Sequence, residues 1–206
     1  MTIISYMKEG KMIKFRAVLL VLIAGMVIFF GGCWIPENFK ANVTVNKDGG
    51  YTFTYDGTLV YAPTFTAAEQ GELTKTDEED GEKKLKETPD IEKVAYLGKG
   101  RYKVYAEKRV SPGNDYDFMD IFSVDSQPDG SIEITVVKLE DDARKQLKSI
   151  GAKINGELTV SLKKGVKVIN HNAQRKPLFF GLFGSYKWES ESFDDVPLIV
   201  VKPAFN

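Results

Sequence analysis

"VTVNKDGGYTFTY", Val43 to Tyr55, is the stretch on which the fold turns. Val43 and Val45 alternate with Thr44 and Asn46, and Tyr51, Phe53 and Tyr55 alternate with Thr52 and Thr54. Successive side chains of a strand point to opposite faces, so this period of two gives one apolar face and one polar face. Between the two runs, Lys47-Asp48-Gly49-Gly50 has turn chemistry, with glycines free to take left-handed dihedrals. The stretch predicts an antiparallel hairpin that buries one face. Asp56-Gly57 adds a bulge or a second turn, and residues 58–62 continue the strand.

The same signals recur downstream. Residues 91–110 predict a hairpin about Gly98-Lys99-Gly100. Residues 118–124 and 132–139 flank Gln127-Pro-Asp-Gly130, a strong turn. Leu158, Val160 and Leu162 alternate, Lys163-Lys164-Gly165 turns, and residues 166–169, 186–189 and 198–201 supply further strands. Two helices interrupt. Thr66-Ala-Ala-Glu69 fits a capping box and starts the first, with a break near Gly81 and an end at Pro89. Glu140-Asp-Asp142 opens the second, with negative charge at its amino end, and Gly151 closes it. Roughly nine strands and two helices without βαβ regularity predict an α+β fold: a mostly antiparallel β-sheet with two helices packed on one side.

Charge divides the chain. Residues 1–32 carry Lys8, Lys11, Lys14 and Arg16 against Glu9, a net of +3, while the whole chain nets −1 and so leaves the rest at −4. A mildly acidic body argues against nucleic acid as a partner. Cys33 is the sole cysteine, so neither an internal disulfide nor a cysteine metal cage is expected.

Cys33 also closes a three-part pattern. Lys11-Met-Ile-Lys14-Phe-Arg16 is basic, residues 17–30 hold no charge, and Gly31-Gly32 are small. These are the parts of a secretory signal, preceding the body as an N-terminal signal helix. Extended through Ile35, the apolar run is only marginal as a membrane span, which wants about 20 residues. A retained anchor is the competing reading. Phe30-Gly31-Gly32-Cys33 resembles the lipobox of bacterial lipoproteins, departing from it at Phe30, where leucine is usual. The resemblance implies a diacylglyceryl group on the Cys33 thiol, cleavage just before it, and often a further acyl chain such as palmitate on the new amino terminus. It implies a signal peptide over 1–32, with Met12 giving a more usual start than Met1, a short tether over 33–38 and a single domain over 39–206. One acyl chain anchors marginally and two or three hold a protein at a bilayer. In Gram-negative lipoproteins an aspartate after the cysteine favours retention at the inner membrane. If the envelope is Gram-negative, Trp34 therefore points to the periplasmic face of the outer membrane.

Few residues carry chemistry. His171 is the only histidine, and Asn170-His171-Asn172 reads as a turn whose side chains cover backbone groups rather than as a general base with its orienter. Residues 76–87 loosely follow a calcium loop but place Thr76 where the first aspartate belongs, so a solvated acidic helix face is the expectation. Gly98-Lys99-Gly100 lacks the rest of a phosphate loop. The Asn42-Val43-Thr44 sequon is read as coincidence. No catalytic residue, metal or cofactor is expected. Pro177-Leu-Phe-Phe-Gly-Leu-Phe-Gly184 is denser in apolar groups than a loop needs. Phe179, Phe180, Leu182 and Phe183 are candidate apolar contacts, for the core, a membrane, a ligand or a protein partner.

The pairing of "NVTVNKDGGYTFTYDGTLVY" near the start with "GELTVSLKKGVKVINHNA" near the end resembles the LppM-type lipoprotein domain. That resemblance implies an antiparallel sheet with helices on one side and an internal apolar cavity for lipid. LppM-type proteins also carry a C-terminal membrane helix, which residues up to Asn206 lack. The expected function is thus a membrane-anchored envelope lipoprotein with a non-catalytic binding or structural role, chiefly protein interaction. Binding of a lipid or other apolar ligand is the alternative, and an enzyme the minor one.

Overall fold

The computed structural model describes residues 34–178 and 184–204. The signal helix expected over residues 1–32 lies outside them. The hairpin of the opening stretch is present: β1 (Trp34–Val45) pairs with β2 (Tyr51–Tyr61), Val43 opposite Phe53 and Val45 opposite Tyr51. All five of its apolar residues are buried. The turn closes as Asn46 donates its N–H to the Gly50 carbonyl at 2.8 Å, with Gly49 at a φ of 88°.

Two helices follow β2. α1 (Ala62–Gln70) ends at Gly71, which takes the left-handed conformation at φ 74°. α2 (Lys75–Glu87) starts on a capping box: the Thr74 hydroxyl accepts the Asp77 N–H, and Asp77 accepts the Thr74 N–H. The expected box at Thr66 is not a start, because Thr66 lies inside α1 and its hydroxyl donates back to the Ala62 carbonyl at 2.8 Å. The expected break at Gly81 falls instead at Gly71. Gly81 runs through α2 because it lies against the Tyr102 ring, where an added Cβ would sit 2.2 Å from the hydroxyl oxygen.

β3 (Ile91–Gly98) and β4 (Arg101–Val110) form the second hairpin. β5 (Tyr116–Phe118) and β6 (Phe122–Ser126) split what reads in sequence as one strand. Met119 and Asp120 both take φ near 57°, a tight turn that nothing in their residue types announces. β7 (Ile132–Val136) follows the Gln127–Gly130 turn, closed by Gly130 donating to the Gln127 carbonyl. α3 (Asp141–Ser149), β8 (Asn155–Leu162), β9 (Lys167–His171), β10 (Tyr186–Ser190) and β11 (Leu198–Lys202) complete the described chain.

The single sheet with two helices is overturned. The described strands form two sheets, one in the order β10-β8-β1-β2-β4-β3 and one in the order β5-β6-β7-β11-β9, with three short helices. Pairing across sequence causes the difference. β8 returns, after β2–β7 and the three helices, to lie parallel to β1, Ala41 opposite Leu158 and Val45 opposite Leu162. β11 inserts between β7 and β9 rather than beside β10.

The two sheets meet through aromatic rings. Phe53 from β2 lies 5.2 Å from Phe118, Tyr55 lies 5.0 Å from Phe118, and Phe39 from β1 lies 5.5 Å from Phe122, centroid to centroid. Each such buried aromatic side chain contributes roughly 1.5–3 kcal/mol. The Tyr55 hydroxyl stays satisfied by donating to the Thr58 carbonyl at 2.9 Å, and burial holds its pKa well above the usual value. At the other end of the same face, α2 covers Tyr102, whose hydroxyl donates to the Glu78 carbonyl.

Candidate functional site

The first described residue is Trp34, the residue after Cys33. Trp34 is the first residue of β1 and packs on Tyr61 at 4.7 Å and on Tyr102 at 5.8 Å. Lys84 from α2 donates to the Tyr61 hydroxyl, and its ammonium lies 4.6 Å from the ring centroid. The first turn of chain beyond Cys33 is therefore a packed strand.

Next along β1 is a bulge. Pairing with β2 slips between Glu37 and Lys40, and Asn38 takes a φ of 47°, a conformation asparagine tolerates better than most. Asn155 from β8 clasps it: the Asn38 N–H donates to Asn155 Oδ1 at 3.0 Å and Asn155 Nδ2 donates to Asn38 Oδ1 at 2.7 Å. The bulge aims Phe39 inward over Gly57 and Gly156 of the flanking strands, where a Cβ would sit 2.6 Å and 2.3 Å from Phe39 atoms. Glu37 is buried and pairs with Arg101, which donates from Nε at 3.0 Å and Nη2 at 3.3 Å. The Arg101 guanidinium also lies 4.7 Å from the Phe65 ring centroid. Beside the bulge lies a cleft of about 550 Å³ whose lining includes Glu37, Asn38, Lys148, Ile154 and Phe193. Two of its charged groups are already partnered, Glu37 by Arg101 and Lys148 by Asp194. Sequence reasoning missed this cluster. Glu37 in an otherwise apolar entry was the only signal, and its partner lies 64 residues on.

A second cleft, of about 810 Å³, opens at the far end of the first sheet, where Lys163, Lys164, Lys167, Pro177, Gly184 and Tyr186 contribute to its walls.

The sites weighed in the sequence fall as follows. Cys33, Phe179, Phe180, Leu182 and Phe183 lie outside the described residues. His171 ends β9, with its ring 4.9 Å from Tyr186 and its Nδ1 accepting the Ala173 N–H at 3.1 Å, so that nitrogen braces a turn. Asn172 beside it accepts from Trp188 Nε1 at 2.7 Å and from the Leu198 N–H at 2.9 Å, tying β9, β10 and β11. The acidic block 77–80 lies on α2, where Asp77 is a cap and Glu78 accepts from the Tyr96 hydroxyl. Hydrogen bonds from Thr74 hold the Asp77 carboxyl below its usual range. Lys99 and Gly100 form the β3–β4 turn, and the Gly100 carbonyl accepts the Tyr61 N–H. Asn42 donates across β1 and β2 to Thr54. Among the described residues no group of three or more His, Cys, Asp or Glu could hold a metal ion, and no helix is long and apolar enough to cross a membrane.

No family model matches the chain, and no curated protein matches it. Among solved structures, it is similar to the NMR structure of the folded domain of the Mycobacterium tuberculosis LppM protein, at 13% identity and a TM-score of 0.36. That alignment covers 81% of this chain and 90% of the other.

Proposed function

We propose that this chain is a membrane-anchored lipoprotein of the cell envelope whose folded body has a non-catalytic binding or structural role, chiefly interaction with protein. Residues 1–32 serve as the signal peptide and Cys33 carries the diacylglyceryl group, with the periplasmic face of the outer membrane as its place in a two-membrane envelope. The observation that carries the reading is the start of β1 at Trp34, locked on Tyr61 and Tyr102. A lipid on the residue before it holds the whole sheet at the bilayer with almost no slack, as a scaffold or docking module requires. The ring-to-ring packing of Phe39, Phe53, Tyr55, Phe118 and Phe122 supports interaction through the surface over an apolar ligand between the sheets. His171, whose Nδ1 is occupied by a backbone donor, supports a non-catalytic reading.

Native mass spectrometry of the full chain, extracted from its own membrane, tests this. A stoichiometric partner protein is the expected result. A stoichiometric non-covalent lipid retained by the body would replace the protein-interaction reading with lipid carriage.

A further inference from the structure

The far end of the first sheet combines two features found together nowhere else among the described residues. The first is segregated positive charge. Lys163, Lys164 and Lys167 wall the 810 Å³ cleft, are exposed, and make no ion pair among the described residues. Lys176, next to Pro177 of the same cleft, is likewise exposed and without one. Elsewhere basic side chains are mostly neutralised locally: Lys75 by Glu79, Lys103 by Asp56, Lys108 by Asp90, Lys187 by Glu157 and Lys202 by Asp129. Among the described residues no acidic one contributes to the cleft lining. In a body with a net charge of −4 this concentration is not the average of the surface.

The second feature is apolar exposure at the same place. Leu178 follows Pro177 and is 68% exposed, the most exposed large hydrophobic residue among those described. An exposed leucine one residue beyond the wall of a lysine-lined cleft is an arrangement that an anionic bilayer accepts: lysines at the headgroups and a leucine at the acyl boundary.

Topology sets where this end points. β8 runs parallel to β1 with Leu162 opposite Val45, so the Lys163–Lys167 turn lies at the Val45 end, with the Lys47 stem against Gly165. Trp34 is at the other end of a 12-residue strand, roughly 35–40 Å away at about 3.3 Å per residue. We infer that the Lys163–Lys167 turn and Leu178 form a docking tip for an anionic phospholipid bilayer, distant from the point where the chain is anchored.

The test holds the full chain in nanodiscs of phosphatidylcholine and adds separate vesicles, either phosphatidylcholine or one-third phosphatidylglycerol. Either a lipid on Cys33 or the apolar run itself keeps the chain in the disc, so the added vesicles report on the exposed body. Binding to the anionic vesicles, absent for the neutral ones and lost at high salt, is expected. Each lysine near such a surface contributes about fivefold, so Lys163→Gln, Lys164→Gln and Lys167→Gln together weaken binding roughly a hundredfold. Leu178→Asn weakens it about tenfold. The same three-lysine neutralisation on α2, at Lys75, Lys83 and Lys86, leaves it within twofold. Equal binding to both vesicle types, or equal losses from the two triple variants, overturns the inference.

Discussion

Gly57→Ala isolates the packing that the β1 bulge imposes. A Cβ on Gly57 would sit 2.6 Å from Phe39 Cβ and 2.7 Å from Phe39 Cα. Real Cβ atoms do not approach that closely, and neither atom lies at the end of a flexible side chain. Relief needs strand β1 to move, and β1 is held on both sides by β2 and β8. Overpacking in a core costs about 1–3 kcal/mol, and a clash with backbone belongs at the upper end. Phe39→Ala, in contrast, empties the space between Tyr55 and Phe122 and costs about 3–5 kcal/mol. The two effects add, because alanine at 39 keeps the very atoms that Gly57→Ala strikes. Urea unfolding followed by fluorescence of the buried Trp188 measures all three variants. The double variant is expected to unfold at lower urea than either single one. A double variant more stable than Phe39→Ala alone would show that the clash is with the ring, and the account of the bulge would fail.

Three further outcomes follow from named contacts. Thr74→Ala removes the α2 cap and costs about 1 kcal/mol in the same unfolding assay, whereas Thr66→Ala, inside α1, costs less than about 0.5. Arg101→Met leaves the buried Glu37 carboxylate unpaired and destabilises by about 2 kcal/mol in the same urea assay, whereas Arg101→Lys, which keeps a cation, costs less. Hydrogen bonds from Ser131, with help from Lys202, lower the Asp129 carboxyl to about 2 from 3.8. A carboxyl lowered in the folded state adds stability above its unfolded pKa and loses it as pH falls through the folded one. This contribution is therefore full above about pH 4 and gone below about pH 2. An NMR titration of Asp129 should show the low value, and Ser131→Ala should raise it.

Local rules read well from the sequence, and partners did not. The alternation at Val43, Val45, Tyr51, Phe53 and Tyr55 states a hairpin because both strands and their turn are contiguous. The Gln127–Gly130 turn and the helix after Glu140 are local in the same sense. The existence of two sheets depends instead on β8 finding β1 across more than a hundred residues and on β11 finding β7 and β9. Alternation tells a strand which face is apolar and is silent about its neighbour. The helix break was misplaced for a related reason. Gly71 and Gly81 look alike in sequence, but only Gly71 takes a left-handed φ, while Gly81 makes room for a tyrosine from β4. Of the surface features, Lys163-Lys164-Gly165 was legible only as a turn. That its lysines share a cleft with Pro177, next in the chain to Leu178, emerges only once β10 is laid along β8.

The anchor is the central claim, and the intact mass of the chain extracted from its native membrane tests it most directly. The account predicts a polypeptide of residues 33–206 carrying a diacylglyceryl group on Cys33, with Cys33→Ala accumulating as the uncleaved precursor. A mass equal to the unmodified chain from Met1 or Met12, unchanged in kind by Cys33→Ala, would contradict it.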